Sequence, residues 1–168
     1  GDRAFHRDPE AVAVLAATWL QGMRRAGMAG CAKHFPGHGY VVADSHLELP
    51  VDSRGYADLA DDLLPYARLA GTGLASVMIA HVRYPQVDGR VASLSPFWIR
   101  EGLRGNLGFA GVVFSDDLSM QALAAAGDMP ERVRQALAAG ADMALICNDP
   151  AAAEQAIAAL GRHDDPPA

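Results

Sequence analysis

The chain has 168 residues, 51% of them hydrophobic and 20% charged, and its 20 Asp and Glu against 14 Lys and Arg give a formal net charge of -6. That is too apolar for a disordered chain and too acidic for the basic footprint of a nucleic-acid binder. No apolar run approaches the roughly 18 residues of a membrane span, and the length suits one domain while falling short of the roughly 250 residues of a complete (β/α)8 barrel.

In chain order, residues 8–26 read as a helix. Asp8 is placed to cap it, Pro9 sits at the first helical position, and Val12, Leu15, Ala16, Trp19, Leu20 and Met23 recur at helical spacing. Trp19 is therefore expected in the core. A short strand over residues 29–33 runs into a glycine-rich loop, and polar sequence continues to Arg54. Residues 56–70 read as a second helix with Leu59, Leu63 and Leu64 to one side. Residues 74–80 form a continuous apolar strand ending at His81. A loop leads to a helix capped by Ser95 with Pro96 in its first turn, and Trp98 on that helix is expected in the core. Residues 111–115 make a third strand ending at Asp116-Asp117. A loop or short helix follows, in which Met120 is expected to pack. A helix near 130–139 leads to a fourth strand over 142–147. The last helix starts after Asp149-Pro150 and runs to about Leu160, before a polar tail over 161–168.

Strands that are apolar without alternation suit a sheet covered on both faces, and their regular exchange with helices indicates parallel βαβ units in one domain spanning 1–168. The two cysteines, Cys31 and Cys147, lie in apolar stretches without a metal-type partner nearby, and are expected as buried reduced thiols in strands. No basic-then-apolar leader is visible at the N-terminus. His6 and His163 read as solvent-exposed.

In parallel α/β folds the loops after the strands gather at one end of the sheet, so strand-end residues are the functional candidates. Here those positions are chemically rich. Lys33-His34 ends the first strand, with His38, Asp44 and His46 in the following loop; His81 and Arg83 follow the second; Asp116 and Asp117 close the third. Four of the chain's 6 histidines fall in these loops. Gly37 and Gly39 allow positive φ and close approach of the backbone to a ligand. Asp44 stands two residues from His46, a spacing at which it can accept from one ring nitrogen and leave the other to move a proton near neutral pH. His34 and His38 are four apart, but Pro36-Gly37 between them breaks any helical metal motif, and the loop matches no phosphate-binding pattern. Asp116 is the carboxylate expected to project into a pocket. It could serve as nucleophile, metal ligand or cap, while Asp117 is placed to cap the next turn.

The run Lys33-His34-Phe35-Pro36-Gly37-His38-Gly39, with Asp44-Ser45-His46 after it and Phe114-Ser115-Asp116-Asp117-Leu118-Ser119-Met120 further on, closely resembles glycoside hydrolase family 3. Within that family it is most similar to the bacterial cytoplasmic β-N-acetylglucosaminidases. Gly1-Asp2-Arg3-Ala4-Phe5 and Asp8-Pro9 resemble the family's sequence just ahead of the same motif, and the likeness runs from residue 1 to about 160.

The resemblance implies a TIM barrel of which this chain is roughly the C-terminal half, with about four βα units. It implies Asp116 as catalytic nucleophile, His46 as general acid/base and Asp44 as the partner that orients it. Lys33, His34 and Arg3 are implied to bind the N-acetylglucosamine unit. It further implies cell-wall recycling in the cytoplasm, on a small carbohydrate substrate carrying N-acetylglucosamine and a peptide-bearing aglycone. Nucleic acid and membrane are not expected as partners, and the chemistry requires neither metal nor organic cofactor. Family 3 chemistry on another sugar, as in a β-glucosidase, is one alternative, which the His–Asp dyad disfavours, and two further readings compete. One is a non-catalytic half-barrel that self-associates or pairs with a missing N-terminal half. The other is a metal-dependent barrel hydrolase using His34, His38 and His81. His81 and Arg83 are also candidates for the pocket wall.

Overall fold

The computed structural model describes residues 4–161. Helix α1, Pro9–Arg25, begins where Asp8 Oδ1 accepts from the Glu10 and Ala11 N–H groups at 2.8 and 3.2 Å. This satisfies donors that have no partner within the first helical turn. Strand β1, Cys31–Phe35, starts two residues later than the apolar pattern alone suggests, because pairing with the next strand begins at Cys31 opposite Ser76. A short 3-10 turn, Tyr56–Leu59, leads into α2, Ala60–Ala70. Strand β2 is Ser76–Ile79.

Next comes an element that the sequence pattern reads only as loop. Strands β3, Arg83–Tyr84, and β4, Asp88–Val91, form an antiparallel hairpin. Two- and four-residue strands are too short for alternation to register. A π-helix over Phe97–Asn106 follows, and Ser95 Oγ accepts from the Trp98 N–H at 3.2 Å, the capping role expected of Ser95. Strand β5, Val112–Asp117, carries both aspartates in its last two positions. A 3-10 segment, Gln121–Ala126, precedes α3, Met129–Ala139. Strand β6 is Met143–Leu145, and α4, Pro150–Leu160, is capped by Asp149, which accepts from Ala152 N–H at 3.0 Å.

The four longer-range strands form one parallel sheet in the order β1-β2-β5-β6. Parallel neighbours in chain order, each joined by a helical crossover, are the repeating βα unit of a barrel wall, and four units make a partial (β/α)8 barrel. Along β5, Val113 and Ser115 are wholly buried, whereas Val112, Phe114 and Asp116 alternate onto the other face. Asp116 therefore sits on the more open face, at the strand's C-terminal end.

Trp98 anchors the core. It is 0% exposed and meets Phe35, Tyr84, Phe97 and Tyr56 with ring centroids 5.0 to 6.2 Å apart. Met120 is buried, as expected. Trp19 is not: at 65% exposure it lies outside the core, contrary to its place on the helical stripe. The face of α1 that is buried centres on Ala13 and Leu20, which leaves Leu15 and Trp19 on the flank, where Trp19 meets Phe5 edge to face. The cysteines also depart from expectation. Both are exposed. Cys31 opens an edge strand, and Cys147 lies two residues beyond the end of β6, so neither is enclosed by the sheet. His6 is exposed, whereas His163 lies outside the described residues.

Candidate active site

The site is built at the C-terminal ends of β1, β2 and β5. From β5, Asp116 is held on two sides. Its Oδ1 accepts from the Asp117 N–H at 2.9 Å, and its Oδ2 lies 3.6 Å from His34 Nε2, with the side chain 16% exposed. Lys33, one residue before His34, is exposed at the same strand end. The peptide bonds Lys33–His34 and Phe35–Pro36 are both cis. Arg3 lies outside the described residues, so the third expected sugar-binding residue has no position here.

The second pair lies in the loop after β1. Asp44 Oδ1 accepts from both the His46 N–H, at 3.0 Å, and the His46 ring Nδ1, at 2.7 Å. These bonds, backbone first, hold the Asp44 carboxyl below its ordinary pKa. An ionised carboxylate only accepts, so Nδ1 carries a proton and Nε2 is the ring nitrogen away from Asp44. Both side chains are more than half exposed.

No described contact joins Asp44 or His46 to Asp116 directly. A chain of intermediates does link the two pairs. The His34 and His38 rings meet edge to face with centroids 6.2 Å apart, and His38 Nε2 lies 3.2 Å from the buried Ser45 Oγ, between Asp44 and His46. Ser45 in turn accepts at its carbonyl from the Ala122 N–H, 3.3 Å away, on the segment after β5. Ser45 thus ties the loop to His38 and to the segment after β5, a contact that a lone serine between Asp44 and His46 does not announce in the sequence.

Loop stems are tied down by residues that sequence reasoning passed over. At the entry, the Tyr84 hydroxyl donates to the Gly37 carbonyl. Gly37 is required there by close approach, because a Cβ would lie 2.6 Å from Asp62 Oδ1. Gly39 has open space instead, neither glycine is among the positive-φ residues, and the close approach at Gly37 is to Asp62 of the chain itself. At the exit, the Arg54 guanidinium binds the almost wholly buried Asp52 carboxylate, with Nη2 to Oδ2 at 2.7 Å, and reaches Asp62 Oδ2 at 2.8 Å. Its other face lies 4.0 Å over the Tyr40 ring. Burial, the largest single influence on Asp52, pushes its pKa up, but the combined Arg54 hydrogen bonds and charge outweigh it and leave the carboxyl below its ordinary value. Asp52, two residues before Arg54, was the available signal for this bidentate pair.

His81 does not line the site. It is 0% exposed, with Nδ1 2.7 Å from Ser93 Oγ and Nε2 2.9 Å from the Asp117 carbonyl oxygen. Burial keeps its pKa below the ordinary imidazole value. Arg83 is exposed on the hairpin and borders an open cavity of about 550 Å³ with Leu94, Ala122 and Glu131, which none of Asp116, His34 and His46 lines. The triad of His34, His38 and His81 on which the competing metal reading rests is not assembled, since both His81 nitrogens are directed at Ser93 and Asp117. Among the described residues no group of His, Cys, Asp or Glu is arranged to hold a metal ion. Asp117 turns away from Asp116, accepting from the Ser119 N–H at 3.0 Å and the Cys147 N–H at 3.0 Å, which makes it a brace for the following turn.

Known proteins give this geometry its context. Residues 1–163 match the family model described as the glycosyl hydrolase family 3 N terminal domain. A beta-hexosaminidase from Nitrosospira multiformis is 54% identical over 168 residues, covering 99% of this chain and 48% of its own length. Among solved structures, NagZ from Neisseria gonorrhoeae in complex with N-trifluoroacetyl-D-glucosamine superposes with a TM-score of 0.85 at 48% identity, over 92% of this chain and 44% of that one. A glycoside hydrolase family 3 beta-N-acetylglucosaminidase from Paenibacillus superposes with a TM-score of 0.91 at 37% identity, over 95% of this chain and 31% of that one. The chain spans about half the length of the curated relatives it matches.

Proposed function

The chain belongs to glycosyl hydrolase family 3, and from that premise we propose that it supplies the reacting groups of a retaining β-N-acetylhexosaminidase. The substrate is a peptidoglycan-derived muropeptide, from which terminal β-linked N-acetylglucosamine is removed in cytoplasmic cell-wall recycling. The observation that carries the reading is Asp116, ionisable and fixed at the end of β5, set near a loop that presents an oriented Asp44–His46 pair. The names of the relatives, and the N-acylated glucosamine bound to the Neisseria protein, support the sugar class. No helix among the described residues is long and apolar enough to cross a membrane.

A retaining glycosidase needs a nucleophile on one side of the sugar and a proton donor at the leaving oxygen. Asp116 attacks the anomeric carbon as the glycosidic C–O bond breaks, and the bond's electron pair leaves on oxygen, which takes the proton from His46 Nε2. The neutral ring then takes a proton from water, whose oxygen attacks the anomeric carbon and returns Asp116 as a carboxylate. Asp44 stabilises the protonated ring through Nδ1. Lys33, His34 and Arg3 bind the sugar hydroxyls and hold the ring for in-line attack. His46 is carried to the bond by movement of its exposed loop when substrate is present.

Strands β1 and β6 form the two edges of the sheet, and Val112, Met143 and Trp19 are exposed. These features support completion of the sugar site by the rest of a barrel, or failing that self-association. In the complete protein, a slow fluoro-sugar analogue of N-acetylglucosamine should label Asp116 covalently, which mass analysis of the labelled peptide would locate. Hydrolysis of an aryl N-acetyl-β-glucosaminide without any label on Asp116 would reject the mechanism.

A further inference from the structure

We propose that His81 and Ser93 act as positioning residues for Asp116, an inference that rests on Asp116 being the nucleophile. The connection runs through the backbone of Asp117. The Asp117 N–H donates to Asp116 Oδ1 at 2.9 Å, so the orientation of that peptide sets one oxygen of the reacting carboxylate. The Asp117 carbonyl, on the other side of the residue, receives His81 Nε2 at 2.9 Å and the Met120 N–H at 3.1 Å. Its carboxylate is held by Ser119 and by the Cys147 N–H. Every polar group of Asp117 is thereby engaged, and only the N–H faces the site.

The tautomer of His81 follows from its partners. A carbonyl oxygen only accepts, so Nε2 carries the proton. Nδ1 then bears the lone pair and accepts from the Ser93 hydroxyl at 2.7 Å. Ser93 is itself 0% exposed, on the 3-10 turn Ala92–Leu94, and its N–H donates to the Ala80 carbonyl at 3.2 Å. The Asp117 carbonyl thus selects the ring form, and the serine completes it by donating to the opposite nitrogen and anchoring the ring. Without its hydroxyl, the buried Nδ1 loses its donor and the ring its second anchor, which loosens the Nε2–H bond to the Asp117 carbonyl and with it the backbone of the residue whose N–H orients Asp116.

The test uses the complete protein and follows covalent labelling of Asp116 by the slow fluoro-sugar. In Ser93→Ala the labelling rate constant should fall roughly tenfold to a hundredfold, within the roughly hundredfold that a misplacement of about 1 Å can cost. Binding of N-acetylglucosamine, measured by calorimetry, should stay near the wild-type value. Ser93→Thr, which keeps the hydroxyl, should recover most of the rate, and His81→Gln, which keeps a donor, should lie between. Labelling of Ser93→Ala and His81→Gln at the wild-type rate overturns the inference. So does a fall in labelling matched by an equal loss of sugar binding and thermal stability, which marks a merely structural histidine. A wild-type protein that hydrolyses substrate yet never labels Asp116 overturns the nucleophile assignment itself, and the two failures are thereby told apart.

Discussion

One oxygen of Asp44 serves His46 twice, accepting from its backbone N–H at 3.0 Å and from its ring Nδ1 at 2.7 Å. The pair is local, formed within three consecutive residues, so the orientation of the ring is set inside the loop itself. Asp44→Asn replaces the acceptor with an amide that can present either end to Nδ1. In the complete protein this should slow hydrolysis of poor leaving groups about a hundredfold, in line with general acid catalysis worth roughly 10² to 10⁴. Activated dinitrophenyl glycosides, which need no proton, should lose far less. His46→Ala should show the same split, and steady-state rates across a leaving-group series measure it. An equal loss on every substrate would contradict proton donation by this pair.

Asp116→Ala should lower turnover by about a thousandfold or more, because covalent catalysis is lost outright. Azide added to the variant should restore part of the rate on an activated substrate and give a glycosyl azide of inverted configuration. Product stereochemistry by proton NMR decides the point.

Removing Arg54 should loosen the loop from below. Arg54→Met leaves the Asp52 carboxylate buried without its partner, at an expected cost of about 3 kcal/mol, the low end for breaking a buried pair. Urea unfolding measures this. The pH dependence has a definite sign. Because the folded Asp52 carboxyl lies below its reference value of 3.8, its stabilisation is complete above that pH and is lost as pH falls through the lowered folded value. The stability gap between wild type and Asp52→Asn should therefore be full near neutrality and close in more acidic solution.

Gly37 and Gly39 look alike in the sequence and should respond differently. Gly37→Ala pushes a methyl group to within 2.6 Å of the Asp62 carboxylate that Arg54 binds, and should destabilise by about 1 to 3 kcal/mol. Gly39→Ala meets no atom within 4 Å and should change stability by less than about 0.5 kcal/mol. Thermal melts of the two variants provide the comparison.

Much of the fold was legible because it rests on local signals. Asp8-Pro9 and Asp149-Pro150 cap helices within a few residues of themselves. The apolar runs around Val77 and Val113 mark strands whose neighbours follow in chain order. The Asp44–His46 spacing fixed a hydrogen bond for the same reason. Misreadings arose where distant chain decides burial. Trp19 satisfies helical spacing yet faces outward, because the contact face of α1 is set by α2 and the sheet. Cys31 lies in a strand yet is exposed, because that strand is an edge.

From its residues alone, the chain declared a parallel α/β wall, the family-specific motifs at its strand ends and the chemistry they imply. Those properties depend on periodicity and on short spacings, which a linear string records. The tertiary structure decided which of the strand-end residues serve each other. His34 faces Asp116 across 82 positions of sequence, Arg54 gathers Asp52 and Asp62 beneath the loop, and His81 turns away from the cavity to brace Asp117. Such pairings arise from the parallel register of β1, β2 and β5, which brings their C-terminal ends to one level, and register is a relation between strands that no single segment contains.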